Sequence, residues 1–338
     1  MRVSIILISF LFILSVVCQA VVIETVPVGD VGNQPDTEVM SDGTTGYGSV
    51  GYVYRMGKYE VTAGQYTEFL NAVAATDTYG LYHDGMWSHS YGCKIQRSSP
   101  TGSYTYNVAA AWANRPVNSV NYWSACRFAN WLHNGQPTGA QGPSTTERGA
   151  YILDGYDSWE GGSIHRNSEA KWFLPSEDEW YKAAYYDPKK PGGAGYWDYP
   201  TRSNVLPSNV LGDPIDPGNN ATYLTSVFTI GSPYYRTEIG AHENSESAYG
   251  TYDQAGNVAE WNEAIVKEET GYSWRGMRGG GFDRFDTSLP ALHRSLSISW
   301  NSYYWAGFRV AEAVPEPSSI LAIAAGFGLI MGLKRRRV

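Results

Sequence analysis

An α+β, loop-rich fold is predicted by three features of this 338-residue sequence. One stretch, Tyr52–Val61, alternates like a strand, and two other stretches carry apolar residues at helical spacing. Between them run long segments of Gly, Pro, Asn and Tyr with no sustained period. With 26 Tyr, 12 Trp and 37 Gly, the composition suits irregular backbone whose core is filled by aromatic bodies with polar tips. At 43% hydrophobic the chain can bury a substantial core, and its length allows one large domain or two smaller ones.

The elements follow in chain order. Val21–Val26 is strand-like, within a polar, turn-rich stretch over 21–50. After Tyr52–Val61, Thr62 can cap a helix, with Gln65 as the return partner of a capping box. Tyr66, Phe69, Leu70 and Val73 fall on one face of that helix. Ala75–Tyr106 reads as loop. Tyr122–His133 places Ala125, Phe128, Ala129 and Leu132 at helical spacing, with Ser119 or Asn121 as cap. Trp172–Pro175 is extended, and Ser176 then caps Glu177–Tyr185, with Glu179 completing a second capping box. Glu177, Asp178 and Glu179 sit where the helix dipole favours carboxylates. Asp187–Tyr249 has no strong period.

The net charge is −8; residues 21–314 carry 20 basic against 32 acidic residues. An acidic body argues against nucleic acid as partner, because phosphate contacts need a basic face. The two ends have their own character. Met1-Arg2, an apolar run over Val3–Val17 and Cys18-Gln19-Ala20 form a secretory signal pattern over 1–20, with an uncleaved anchor as the alternative. At the other end, Pro315-Glu316-Pro317 precedes an apolar run over Ser318–Leu333 and the basic cluster Lys334–Arg337. Those 16 apolar residues span about 24 Å as a helix, short of a bilayer core of about 30 Å. An exported chain would keep Cys93 and Cys126, either as a disulfide or as two buried thiols.

The densest cluster of chemistry is Tyr252–Trp261. Asp253, Asn257 and Glu260 supply oxygen donors around Gly256, followed by Trp261. Hard cations such as calcium take several oxygen ligands, backbone carbonyls included. A helix-cap or salt-bridge role for Glu260 is the alternative.

Seven segments in order carry a resemblance: Glu60-Val61-Thr62 with Gln65-Tyr66; Pro116-Val117 with Val120; Leu174–Trp180; Gly256–Trp261; Arg278-Gly279-Gly280; Arg294; and Gly307–Ala311. Together they resemble the formylglycine-generating enzyme (sulfatase-modifying factor) domain, roughly over Gly46–Ala313. The resemblance implies a single loop-rich α+β domain, C-type-lectin-like, over 46–313, preceded by a strand and linker over 21–45. It also implies calcium held by Asp253, the carbonyls of Gly256 and Val258, and Glu260, with Asn220 marking a weak second calcium site. Residues 314–338 resemble a PEP-CTERM sorting signal. That implies an exosortase as partner through Pro315, Glu316 and Pro317, transient membrane association, and delivery to the envelope or extracellular matrix of a Gram-negative-type bacterium.

The resemblance also shows a loss. The family's oxidases use two late cysteines to bind copper, and no cysteine follows Cys126 here. No formylglycine-generating activity by a copper mechanism is expected, and copper is not an expected cofactor. The six histidines form no ligand pair, and no Gly-x-Ser-x-Gly, phosphate loop or His-Glu-x-x-His occurs. Asp283, Arg284, His293 and Arg294 occupy the region the cysteines vacate and form the candidate pocket; Arg294 could instead pair with a buried acid. The expectation is an exported, envelope- or matrix-associated binding or structural module, calcium-stabilised, with extracellular polysaccharide as the leading ligand class. The alternative is an enzyme using cysteine-independent chemistry in the same cleft, for which those four residues would have to converge.

Overall fold

The computed structural model describes residues 20–156, 164–212, 217–269 and 272–315. Two small sheets frame the molecule. In the first, the strands β1 (Thr25–Val28), β2 (Tyr54–Gly57), β5 (Trp172–Phe173) and β12 (Ala311–Ala313) stand in the order β1-β2-β12-β5, antiparallel throughout. The second is built on the hairpin of β8 (Ala259–Glu269) and β9 (Tyr272–Arg278). β10 (Ser295–Ile298) pairs with β9, and β11 (Ala306–Gly307) runs parallel to β8. Both sheets thus use strands from the late part of the chain, so early and late segments fold as one unit.

Helix α1 (Ala63–Val73) begins as its sequence dictates. The Thr62 hydroxyl accepts the Gln65 N–H at 3.1 Å, and the Gln65 side chain accepts the Thr62 N–H at 2.9 Å. The fully buried Tyr66, Phe69 and Leu70 lie on its inner face. The longest helix among the described residues, Tyr122–His133, is capped by Asn121 rather than Ser119, its side chain accepting the Ser124 N–H at 2.7 Å. Phe128 on this helix stacks on Tyr66 with ring centroids 6.0 Å apart, and meets Phe69 and Phe308 edge-on at 5.3 and 5.4 Å. The helix Glu177–Tyr185 carries the second capping box, formed by Ser176 and Glu179.

Several expectations are corrected. The first strand lies at Thr25–Val28, not Val21–Val26, because it pairs in register with Tyr54–Gly57. The strand predicted over Tyr52–Val61 narrows to Tyr54–Gly57, since Val61 turns its N–H to the Phe308 carbonyl and leaves the sheet. Ala75–Tyr106 is not all loop: β3 (Ile95–Ser98) pairs with β4 (Thr105–Val108), a hairpin that buries only Ile95 and Tyr106 and so shows little alternation. Residues 187–249 hold little regular structure, apart from Gly195–Tyr196 pairing with Tyr186–Asp187 and isolated bridges. Cys93 and Cys126 are both buried free thiols, so the disulfide alternative falls.

Among the described residues no helix is long and apolar enough to cross a membrane. Residues 1–19, Glu316, Pro317 and the apolar run after them lie outside the described residues.

Trp261 anchors β8 to the core. It is fully buried, and its indole N–H donates to the Val120 carbonyl at 3.0 Å. Trp261→Ala should therefore cost about 3–5 kcal/mol. Urea denaturation checks this; a loss below about 1 kcal/mol would show that the tryptophan is not an anchor.

Candidate functional site

The loop Tyr252–Trp261 turns sharply. Asp253, Gly256 and Asn257 all take left-handed backbone, with φ of 61°, 85° and 56°. Gly256 cannot be replaced: a Cβ there would lie 2.0 Å from the Thr222 carbonyl oxygen. Asn257 N–H donates to that same carbonyl at 2.7 Å, which ties the loop to the segment holding Asn220. Asn220 itself is buried and forms a parallel bridge with Ser208, and its N–H donates to the Ser245 hydroxyl at 2.9 Å.

Glu260 closes the loop as an ion pair. Its carboxylate accepts Nε and Nη2 of Arg309, each at 2.6 Å, and the Trp180 indole N–H at 2.7 Å. Both partners of the pair are fully buried. Arg309 also donates to the carbonyls of Gly57 at 3.0 Å and Tyr252 at 2.9 Å. Glu60 accepts the Val258 N–H at 3.2 Å and the Asn257 side-chain amide at 3.1 Å. Asp253 accepts the Gly240 N–H at 2.6 Å.

Three buried carboxylates thus share one guanidinium. Burial, with Asp253 and Glu260 nearby, pushes Glu60 well above the ordinary carboxylate range against the pull of Arg309. Burial likewise raises Asp253 to about 6. Glu260 alone of the three is paired to Arg309, and Asp253 takes up its proton only as the pH falls through about 6. The calcium set expected here, Asp253, Gly256, Val258 and Glu260, does not fit this arrangement. Both Glu260 oxygens already accept from Arg309, which occupies the place a cation would take beside that carboxylate.

The residues expected in the candidate pocket separate. Arg284 and His293 line a cleft of about 420 Å³ with Phe285, Leu296, Tyr303 and Trp305. The Arg284 guanidinium lies 4.6 Å over the Trp305 ring, and Tyr303 stacks on Trp305 with centroids 4.7 Å apart. Phe285 is 60% exposed, a large apolar face turned to solvent at the rim. Hydroxyls of Thr287, Ser288, Ser295 and Ser297 complete the lining, which includes no carboxylate. Asp283 stands outside it, 3.6 Å from Arg284. Arg294 turns away to a buried acid, the alternative foreseen for it: Nε and Nη2 hold Glu177 at 2.8 and 2.7 Å, and Nη1 holds Asp42 at 2.9 Å. Arg278, on the far side of Glu177, donates to it at 2.9 Å from Nε. Burial and the nearby Arg278 and Arg284 lower the His293 pKa, so it stands neutral in the cleft at pH 7.

Sequence reasoning passed over a network at the base of β8. Tyr151 donates to Glu263 at 2.5 Å, and Arg166 bridges Glu263 at 3.3 Å and Glu179 at 3.1 Å. Burial raises Glu263 to about 7, against the pull of Arg166. No motif marks these residues, since they lie far apart in the chain.

The model of the sulfatase-modifying factor enzyme 1-like domain matches residues 36–314. The chain belongs to this family. The loop-rich single domain of mixed short helices and strands expected from the resemblance is therefore the fold of this sulfatase-modifying-factor-like chain. Three solved structures follow a similar course. CarF is 19% identical over 87% of this chain and 99% of its own, with a TM-score of 0.48. Treponema denticola variable protein 1 is 18% identical over 85% and 94%, with a TM-score of 0.48. PvdO from Pseudomonas aeruginosa is 19% identical over 86% and 91%, with a TM-score of 0.43. No curated protein sequence matches. The family domain here has no cysteine between Arg278 and Arg309, where the oxidases of the family are expected to carry theirs.

Breaking the Glu260–Arg309 pair from one side should cost about 3–5 kcal/mol, because it strands a buried charge. Glu260→Gln and Arg309→Met are therefore each expected to lower the urea midpoint strongly, whereas EDTA leaves the wild-type midpoint unchanged. A chelator-induced drop that calcium reverses would restore the ion to the loop.

Glu263 gives a pH signature. Its folded pKa lies above its unfolded value, so the folded state binds the extra proton. Its contribution is full below about 4.5 and is lost as pH rises through about 7. Wild type should lose more stability than Glu263→Gln between pH 5 and pH 8; parallel pH profiles for the two would exclude this role.

Proposed function

We propose that this chain is an exported binding module of the sulfatase-modifying-factor family, not an oxidase, and that its ligand is a glycan held in the Trp305 cleft. The observation that carries the reading is the lining of that cleft. It offers aromatic faces from Phe285, Tyr303 and Trp305, four small hydroxyl side chains, the guanidinium groups of Arg278 and Arg284, and a neutral imidazole. Apolar sugar faces stack on aromatic rings, while sugar hydroxyls need donors and acceptors at the edge. An enzyme in the same cleft would need an acid and a base within reach of one another. Asp283 stands outside the lining and Arg294 is bound elsewhere, so the four residues that such chemistry required do not converge.

Export rests on the two ends of the chain: the signal pattern over 1–20, and the Pro315-Glu316-Pro317 motif with its apolar run and basic tail. These support an exosortase as a partner and the envelope or extracellular matrix as a destination. An acidic body fits a neutral or weakly charged polysaccharide better than a nucleic acid.

A glycan array probed with the full chain, beside Trp305→Ala, tests the reading. Binding of neutral glycans that falls at least tenfold in the variant is expected. Conversion of a sulfatase-type cysteine peptide to the aldehyde, or a wild-type chain that binds no glycan, would overturn it.

A further inference from the structure

A second cleft, of about 510 Å³, opens beside β8 and β9. Its walls include Tyr47, Tyr122, Arg166, Ser176, Asp178, Glu263 and Ile265. Glu177 also lines it, while Arg278 lines the Trp305 cleft. The Arg278–Glu177 ion pair at 2.9 Å is therefore the partition between the two.

Most charges around this second cleft are already paired. Glu177 is held by Arg278 and Arg294, and Glu263 and Glu179 by Arg166. Arg275 sits over the Tyr122 ring at 4.5 Å, and Asp178 is the remaining carboxylate. Counting Asp42, which Arg294 also holds, four guanidinium groups stand among five carboxylates; each acid but Asp178 already has an arginine partner, which leaves no strong unpaired field for a cation or an anion. What remains is hydrogen-bonding capacity. Asp178 accepts the Gly48 N–H with one oxygen at 2.9 Å and leaves the other for the cleft. The Ser176 hydroxyl accepts the Glu179 N–H and keeps its own proton to donate. Tyr122 is fully buried, and its hydroxyl has no oxygen or nitrogen partner, with only the Cys126 thiol beside it. The Tyr47 ring is half-buried at the wall.

We propose that this cleft is a second ligand site, for an uncharged polyhydroxylated group such as a hexose unit. Hydroxyls of the ligand donate to Asp178 and Glu263 and accept from Ser176 and Arg166. A group of that kind uses donors and acceptors together, as walls of paired charges offer them, whereas an ion would have to displace one of the existing pairs. Size agrees, since small-molecule clefts run from about 300 to 1,000 Å³. The site does not depend on the Trp305 cleft; with both occupied, one polysaccharide strand or two would be held at neighbouring points, and avidity would follow.

The test uses the full chain in a detergent that contains no sugar, with glucose, galactose, mannose and maltose followed by saturation-transfer NMR. Three variants are compared: Trp305→Ala for the first cleft, and Asp178→Asn and Ile265→Trp for the second, with near-UV circular dichroism to confirm folding. Saccharide binding should persist in Trp305→Ala. It should fall at least tenfold further when either second-cleft change is added, and neither phosphate nor methylammonium should compete. Two results overturn the second site: complete loss of binding in Trp305→Ala, or residual binding that neither Asp178→Asn nor Ile265→Trp reduces. Competition by either ion would mark the cleft as an ion site and overturn it as well. Binding untouched by Trp305→Ala yet abolished by the second-cleft variants would instead fail the first cleft alone.

Discussion

The fold depends on one buried ion pair. Arg309 reaches from the segment before β12 to Glu260 at the start of β8, and on the way binds carbonyls of Gly57 in the first sheet and Tyr252 in the loop. Three chain segments, far apart in sequence, are thereby fixed around one guanidinium. A planar fork with five donors is the side chain suited to this, because it can satisfy a carboxylate bidentately and still reach two backbone oxygens. The loop Asp253–Asn257 then takes its left-handed course against Thr222, and Trp261 follows into the core.

The same device recurs where the clefts are built. Glu177, in the first turn of its helix, is held by Arg278 from β9 and by Arg294 from the loop before β10. Its carboxylate serves as a post between two concave surfaces rather than as a catalytic acid. Arg166 plays a similar part between Glu179 and Glu263. A chain with so little regular structure uses such paired charges to hold long irregular segments in place. Each pair costs desolvation and returns geometric specificity.

The legible parts of the fold were the locally encoded ones. Thr62 with Gln65 and Ser176 with Glu179 are capping boxes that any reader of helix starts would find, and both formed. The late strands were not read from the sequence. β8 is rich in charge, and register shifts between Trp261 and Ile265 and between Ile265 and Lys267 break the two-residue alternation that marks a strand. The hairpin Ile95–Val108 hid for a related reason, with only two of its eight strand residues buried. In the candidate site, Arg284 and His293 reached the expected cleft while Arg294 did not, because Glu177 lies within reach of its guanidinium, a proximity that no spacing along the chain reveals.

Residue type and order were enough for the family, the helix starts, the acidic balance, the character of the two ends and the loss of the late cysteine pair. Only the tertiary structure decided what Glu260 does. Oxygen donors around a glycine read as a cation loop in one dimension, yet Arg309 lies 49 residues further on, and folding brings it 2.6 Å from that carboxylate. A charge in a sealed interior takes the counter-charge the fold delivers, and which one arrives depends on topology rather than on local spacing.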